Sequence, residues 1–308
     1  QRTDLDLDDD TGTARKLAYY DNRASQVGLE WDAEQVLADL GAGLDLSAMF
    51  KQDELDELLA DLQPKTTGDT PAEVDRAEEL RQKWGVVSGQ MWQLGEHRLV
   101  CGDCTDAATV ARVMGGERAA LVFTDPPYNV NYEGGAGKIQ NDNLDDSAFY
   151  QFLLAAFANM EKAMAQDASV YVFHADTEGY NFRKAFRDAG FYLSGTCIWK
   201  KQSLVLGRSP YQWQHEPVLF GWKNKGRHQW YADRKQTTIW EFDKPRKNAD
   251  HPTMKPVALI AHPILNSSLS NCVVLDPFGG SGSTLIACEQ TERVCHMIEL
   301  DEKYCDVI

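Results

Sequence analysis

Nowhere does the sequence hold the roughly 20 consecutive apolar residues that a membrane-spanning helix needs. No apolar signal-peptide core stands near the N-terminus. The chain opens on Gln1 rather than Met, so it reads as a processed or trimmed fragment. A soluble cytoplasmic protein is the expectation. Cysteine is too sparse and scattered for a disulfide scaffold, and its count of 7 is odd. Cys101 and Cys104 form one CxxC, which on its own is a redox pair or half a zinc site. No second CxxC and no HxxxH completes a zinc site, so small buried thiols are the simpler reading and no metal is expected. Positive charge is short too: 31 Lys and Arg stand against 47 Asp and Glu, a net −16. That sign disfavours contact with nucleic-acid phosphates.

The distribution of charge removes most of this objection. Residues 1–80 hold about 21 acidic and about 7 basic side chains, which is nearly all the excess. Residues 196–250 hold about 11 Lys and Arg against about 5 Asp and Glu. The chain is an acidic appendage, a neutral body and a locally basic segment. Residues 1–13 are polar and read as extended or disordered. Helical spacing follows over Asp32–Leu40 and over Asp53–Leu62, where Leu55, Leu58, Leu59 and Leu62 share a face. Residues 63–75 read as a linker, and a short helix runs on to about Trp84.

From Val86 strands and helices alternate. Strands are expected at His97–Cys101, Ala119–Thr124, Ser169–His174, Tyr192–Trp199, Cys272–Leu275 and Val294–Leu300. Helices are expected at Ala107–Met114, Ala148–Ala165, Asn181–Ala189, Pro256–Ser268 and Leu285–Gln290, and the chain stops where another begins. Such alternation predicts an α/β fold: a Rossmann-like, doubly wound, mostly parallel sheet with helices on both faces, preceded by a helical appendage. Residues 200–250 break the alternation and are rich in Trp, Tyr, His, Lys and Arg. The domain reading is 1–85 for the appendage and linker and 86–308 for the body, with 200–250 as an insertion.

Two motifs carry chemistry. In the first, a strand, the turn Asp276-Pro277-Phe278-Gly279-Gly280-Ser281-Gly282-Ser283-Thr284 and a helix make the nucleoside cradle of doubly wound folds. Gly280 and Gly282 let the backbone approach a ligand where a Cβ would clash. Some 20 residues on, Glu299 ends the next strand, where a carboxylate accepts hydrogen bonds from ribose hydroxyls. That spacing suits a dinucleotide enzyme equally well, and a tight structural turn is the bland reading.

The second motif is Asp125-Pro126-Pro127-Tyr128, at the end of a buried strand. Consecutive prolines fix φ, remove two donors and hold a carbonyl rigidly outward. Asp125 adds a carboxylate and Tyr128 a flat ring. Together they suit an exocyclic amine on a heterocyclic base. Two acceptors draw its N–H bonds toward tetrahedral geometry and aim its lone pair at a methyl sulfonium, while the ring stacks on the base. A Pro-rich turn with a capping Asp is the bland alternative.

At these residues the chain resembles the β-class DNA amino-methyltransferases, whose hallmarks are DPPY and FxGxG, here Asp125–Tyr128 and Phe278–Gly282. The catalytic motif precedes the cofactor motif with a basic segment between, which is the order of that class. The resemblance spans about residues 86–308. It implies S-adenosyl-L-methionine as cofactor, with Asp103 and Cys104 against its adenine and His251, Thr253 and Lys255 beside its methionine end. Asp125, Asp276, Pro277, Phe278, Gly280, Gly282, Thr284, Glu299 and Asp301 complete the cofactor set. Met297 stands where relatives often carry Gly.

The resemblance also implies direct methyl transfer to a base flipped out of duplex DNA, with Tyr128 stacked on it and Asp125 and the Pro126 carbonyl on its amine. Cytosine-C5 chemistry would need a Cys nucleophile in a Pro-Cys pair, and no such pair occurs. Aspartate at the first motif position favours adenine N6 over cytosine N4. Residues 200–250 become the target-recognition region, with Lys200, Lys201, Arg208, Gln212, Gln214, His215, Arg234 and Lys235 as candidate DNA contacts. A homodimer, a cognate restriction endonuclease and association with a bacterial or phage nucleoid are further implications. Residues 14–62 resemble the tail of a ParB-like domain through Arg15-Lys16-Leu17 and Asp21-Asn22-Arg23-Ala24. The competing readings are a cytosine-N4 enzyme, a catalytically silent DNA-binding protein of the same fold and a dinucleotide oxidoreductase.

Overall fold

The computed structural model describes residues 76–131, 133–134, 137–138, 140–206, 209–243 and 255–308, together with Val36 and Phe50. The chain forms two compact units, Gln1–Pro64 and Lys65–Ile308. Of the first, only Val36 (in a helix) and Phe50 are described, and both are buried. The rest of its expected helices and the ParB-like likeness lie outside the described residues. The second unit holds both chemistry-bearing motifs, Asp125–Tyr128 and Asp276–Thr284.

A nine-stranded sheet organises that unit. Its strands are β1 (Met91–Leu94), β2 (His97–Cys101), β3 (Ala119–Thr124), β6 (Met164–Phe173), β7 (Phe191–Val205), β8 (Trp213–Lys223), β9 (Ile239–Glu241), β10 (Val273–Asp276) and β11 (Val294–Glu299). The short strands β4 (Glu133–Gly134) and β5 (Gly137–Lys138) pair separately. The order β1-β2-β11-β10-β3-β6-β8-β7-β9 places the five strands from β2 to β6 parallel, with β1 and β8 antiparallel to their neighbours. This is the expected doubly wound, mostly parallel sheet.

Alternation along each strand sends side chains to two cores. Helices α2 (Ala107–Met114), α3 (Asp146–Ala163) and α4 (Gly179–Asp188) cover one face, where Phe149, Phe157, Phe182 and Phe186 meet Val100, Val122, Val170 and Ile298. Helices α5 (Val257–Ser267), α6 (Ser283–Gln290) and α7 (Glu302–Val307) cover the other, where Leu259, Ile260, Ile264 and Cys288 meet Leu99, Leu121, Phe123 and Met297. Each of these fully buried aromatic and aliphatic side chains contributes about 1.5–3 kcal/mol. The seven cysteines are free thiols, and Cys101 and Cys104 are buried. Among the described residues no helix is long and apolar enough to cross a membrane.

From β3 the chain winds outward through α3 to β6, and from β10 it winds the other way through α6 to β11. Neighbours β3 and β10 therefore flank the point where the winding reverses, and a crevice opens there beyond the carboxyl ends of the strands. Both motifs leave the sheet at this crevice.

Helix α1 (Ala77–Trp84) precedes the sheet and is fastened to α7. Arg81 reaches Asp306 at 3.0 Å and Glu302 at 2.7 Å, and the Val86 N–H donates to Asp306 at 2.8 Å. Residues 200–250 break the alternation as expected, but their first half is regular, the end of a long antiparallel hairpin, β7–β8. Strand β7 runs past its expected end at Trp199 because the far end is held by backbone pairing rather than by an apolar face, and β8 was not expected.

Candidate active site

The Asp125 carboxylate, just past the end of β3, is the centre of a charged cluster. It accepts the Tyr128 hydroxyl at 2.6 Å on Oδ1 and the Lys255 ammonium on Oδ2. Lys255, immediately before α5, is buried and also lies 3.1 Å from the Tyr128 oxygen and 3.2 Å from Glu216 Oε2. Its ammonium stands 4.5 Å from the Phe173 ring centre, within cation–π range. Glu216, on β8, takes Lys201 of β7 at 2.6 Å and lies 3.0 Å from the Tyr128 hydroxyl. Two carboxylates, two ammoniums and one phenol thus share a site of balanced charge.

The electrostatics follow from that arrangement. Burial raises the Asp125 pKa above the ordinary carboxyl value, against the pull of Lys255. Burial also pushes Glu216 up, but Lys255 and Lys201 overcome it and carry that group down to about 2. Burial disfavours the Lys255 charge, yet Asp125 and Glu216 outweigh it and raise its pKa. Tyr128 is raised well above the ordinary phenol value by burial and by both carboxylates, so it is a neutral donor. Asp125 keeps 32% of its side chain accessible, which leaves an approach open to a substrate amine.

The loop after Tyr128 is pinned at both ends. Asn129 sits in the left-handed region at φ 59, a conformation Asn tolerates. Its side chain donates to the Leu144 carbonyl at 3.0 Å and accepts the Leu144 N–H at 2.7 Å. Buried Asp142 accepts the Val130 N–H on its side chain and the Asn131 N–H on its carbonyl.

Across the crevice is the Gly-rich turn. Gly280 and Gly282 have φ of 52 and 84, the left-handed values that favour glycine. A Cβ at Gly280 would meet no atom within 4 Å, so that position faces open space, as a cradle requires. Glu299, ending β11, accepts N–H groups from Gly280 and Asp301, each at 2.7 Å. Asp276, ending β10, accepts the Thr124 hydroxyl at 2.8 Å and the Phe278 N–H at 3.1 Å. Burial lifts both carboxyls to about 7, partly offset by these hydrogen bonds. Pro277 and Thr284 are buried, and Phe278 packs edge-on against Phe152 at 5.8 Å. Asp301 caps α7 through Lys303 N–H at 2.9 Å.

At the end of β2, Asp103 folds onto Thr105 at 2.8 Å and Cys104 is buried. The Gly102 N–H donates to the Glu299 carbonyl at 2.8 Å, tying this corner to the cradle. An open, glycine-walled turn beside an acidic strand end fits a nucleoside with a free ribose. His251, Thr253 and Arg208 lie outside the described residues.

The candidate DNA contacts fall on and beside the hairpin. Lys200 pairs with Glu241 at 2.5 Å, and Lys201 is committed to Glu216. Gln212 and Gln214 donate to the carbonyls of Ser209 and Lys201 at 2.5 and 3.2 Å. His215 meets the Trp213 ring at 5.7 Å, and Arg234 and Lys235 are exposed. Of the tryptophans, Trp240 is buried, whereas Trp222 stacks on His228 at 4.2 Å. Sequence reasoning missed Glu216 and Thr124. The signal available for Glu216 was a lone acid directly before the apolar run Pro217–Gly221.

Comparison with known proteins identifies the family. Residues 119–308 match the model of the DNA methylase family, and the chain belongs to that family. It is 25% identical over 236 residues to the type II methyltransferase M.HpaI of Haemophilus parainfluenzae, covering 69% of this chain and 73% of that protein. It is 26% identical over 234 residues to the DNA adenine methyltransferase YhdJ of Escherichia coli K12, covering 65% and 78%. The crystal structure of M1.HpyAVI in complex with SAM shares the fold, with a TM-score of 0.51 at 21% identity over 66% of this chain and 93% of that one. As a family member the chain is a DNA methyltransferase.

Proposed function

We propose that the protein transfers a methyl group from S-adenosylmethionine to the N6 amine of adenine in duplex DNA, acting on a base turned out of the helix. The carrying observation is the Asp125 carboxylate, one-third accessible at the crevice and joined to the cofactor cradle through the Thr124–Asp276 hydrogen bond. When bound, the cofactor supplies an electrophilic methyl. The protein's residues do the rest. Asp125 accepts one N–H of the target amine, and the Pro126 carbonyl accepts the other. The Tyr128 ring stacks on the base, its neutral hydroxyl held by the two carboxylates. Glu299 takes the cofactor's ribose hydroxyls, and Gly280 and Gly282 admit it to the turn. The sequence resemblance assigns Lys255, with His251 and Thr253, to the methionine end of the cofactor. Residues 200–250 are assigned to target recognition. An adenine target is supported by Asp125 as first motif residue and by the likeness to YhdJ, an adenine methyltransferase.

The test is direct. Duplex DNA is incubated with the protein and labelled S-adenosylmethionine, then digested to nucleosides and separated. Label in N6-methyl-2′-deoxyadenosine is expected. Label in N4-methyl-2′-deoxycytidine would replace this reading with the cytosine enzyme. No label in any duplex would leave a silent DNA-binding protein.

A further inference from the structure

Asp125 has a difficulty as an amine acceptor. Its Oδ1 already accepts the Tyr128 hydroxyl and its Oδ2 the Lys255 ammonium. A cation in contact with a carboxylate withdraws the electron density a weakly basic aryl amine needs. Glu216 offers both groups a second acceptor. Its Oε2 lies 3.0 Å from the Tyr128 hydroxyl and 3.2 Å from the Lys255 ammonium. The phenol has one hydrogen for two carboxylates, and Lys255 has three donors for Asp125, Glu216 and the Tyr128 oxygen.

Resting on the reading of Asp125 as amine acceptor, we infer that Glu216 is a positioning residue for methyl transfer. It draws the Lys255 ammonium and the Tyr128 hydrogen off Asp125 when the substrate amine takes that carboxylate. The hairpin is built for this. Pairing of Trp199 with Glu216 turns Glu216 toward Asp125, and Lys201 anchors its other oxygen at 2.6 Å. With Lys201 on Oε1, Oε2 stays directed at Tyr128 and Lys255. Retaining those partners costs little motion, because both already lie within about 3.2 Å.

Glu216→Gln removes the charge and keeps the shape. Asp125 is then the one carboxylate left to Lys255 in the cluster. The expected result is a fall in kcat of about tenfold or more, with the Kd for S-adenosylmethionine and the KM for DNA within about threefold of the parent. The titratable groups facing Asp125 are Lys255, Tyr128, Glu216 and Asp276. Loss of the Glu216 charge removes a repulsion, so the acid limb of the kcat–pH profile moves to lower pH while the plateau drops. A structural defect alone would not move that limb in that direction. Glu216→Asp, which keeps the charge, restores part of the rate and is measured also if Glu216→Gln folds poorly. Unchanged kcat in E216Q, an unmoved acid limb, or loss proportional to lost cofactor binding would each overturn the inference. Asp125→Ala runs alongside. If it is inactive while E216Q is normal, only the role of Glu216 falls; if it remains active, the reading of Asp125 falls first.

Discussion

Thr124 donates its hydroxyl to Asp276 across 2.8 Å, and both side chains are buried. Thr124 ends the strand that delivers Asp125, and Asp276 ends the strand that delivers the glycine cradle. Beyond the pairing of β3 with β10, this hydrogen bond ties together the ends of the two strands that carry the proposed methyl-accepting and cofactor motifs. Thr124→Val keeps the shape and removes the donor. Leaving a buried carboxyl short of a partner costs about 1–3 kcal/mol. Expected outcomes are a lower Tm, weaker S-adenosylmethionine binding by calorimetry and a lower kcat, while Thr124→Ser stays near the parent. Equal cofactor affinity in the valine variant would show that the two strands keep their spacing without this bond.

Met297 closes over Gly279. A Cβ built on Gly279 would stand 2.6 Å from Met297 Cγ, 2.7 Å from its Sδ and 3.3 Å from the Ile298 carbonyl oxygen. Met297 is fully buried and has nowhere to retreat. Gly279→Ala should cost about 1–3 kcal/mol by overpacking. Met297→Ala alone leaves a cavity and costs about 2–5 kcal/mol. Together the two changes offset each other, so the double variant is more stable than the sum of the singles predicts. Urea denaturation of the four proteins measures the coupling; strict additivity would mean that the chain moves aside instead.

The buried carboxyls make stability and cofactor binding respond to pH in opposite directions. Asp276 and Glu299 rise from ordinary values of 3.8 and 4.5 to about 7 in the folded protein. Groups raised in this way bind protons that the unfolded chain has lost. Their stabilisation is full below the ordinary values and is lost as pH rises through about 7. The Tm of the cofactor-free protein should fall between about pH 5 and pH 7.5 by several degrees. Ribose hydroxyls donate to ionised Glu299, so S-adenosylmethionine binds more tightly over the same rise and releases protons. Calorimetry in two buffers of different ionisation enthalpy reads that release. A pH-independent Kd from 6 to 8 would remove Glu299 from the ribose site.

The parts of this molecule legible in its sequence are those determined by neighbours in the chain. Helix Ala107–Met114 has the expected bounds, because Asp106 caps it through Ala108 and Thr109 and Gly115 ends it in the left-handed region. Strand Ala119–Thr124 likewise matches, because a parallel strand buried on both faces is an unbroken apolar run. Both motifs emerge at one crevice, as their place in the alternation implied. Strand β1 was not anticipated, although Gly95-Glu96 between Leu94 and His97 is a two-residue hairpin turn with Gly95 at φ 60. The β7–β8 hairpin and Glu216 were hidden for a different reason. Glu216 reaches Tyr128 across 88 positions of sequence, through an antiparallel register that no local pattern records.

The latch at Asn129 separates two contributions that sequence alone merges. Asn129 holds φ 59 directly after Asp125–Tyr128, and its amide makes two hydrogen bonds to Leu144, at 3.0 and 2.7 Å. Asn129→Ala loses both bonds and meets the left-handed penalty of about 1–2 kcal/mol. Asn129→Gly also loses both bonds but adopts the conformation freely. If the bonds hold the loop root, both variants lose kcat together, and the alanine variant loses more Tm than the glycine variant. If the backbone conformation alone positions Tyr128, the glycine variant keeps the parent kcat. Steady-state rates and melting curves on the same three preparations decide between the two, with the joint loss of kcat as the expected result.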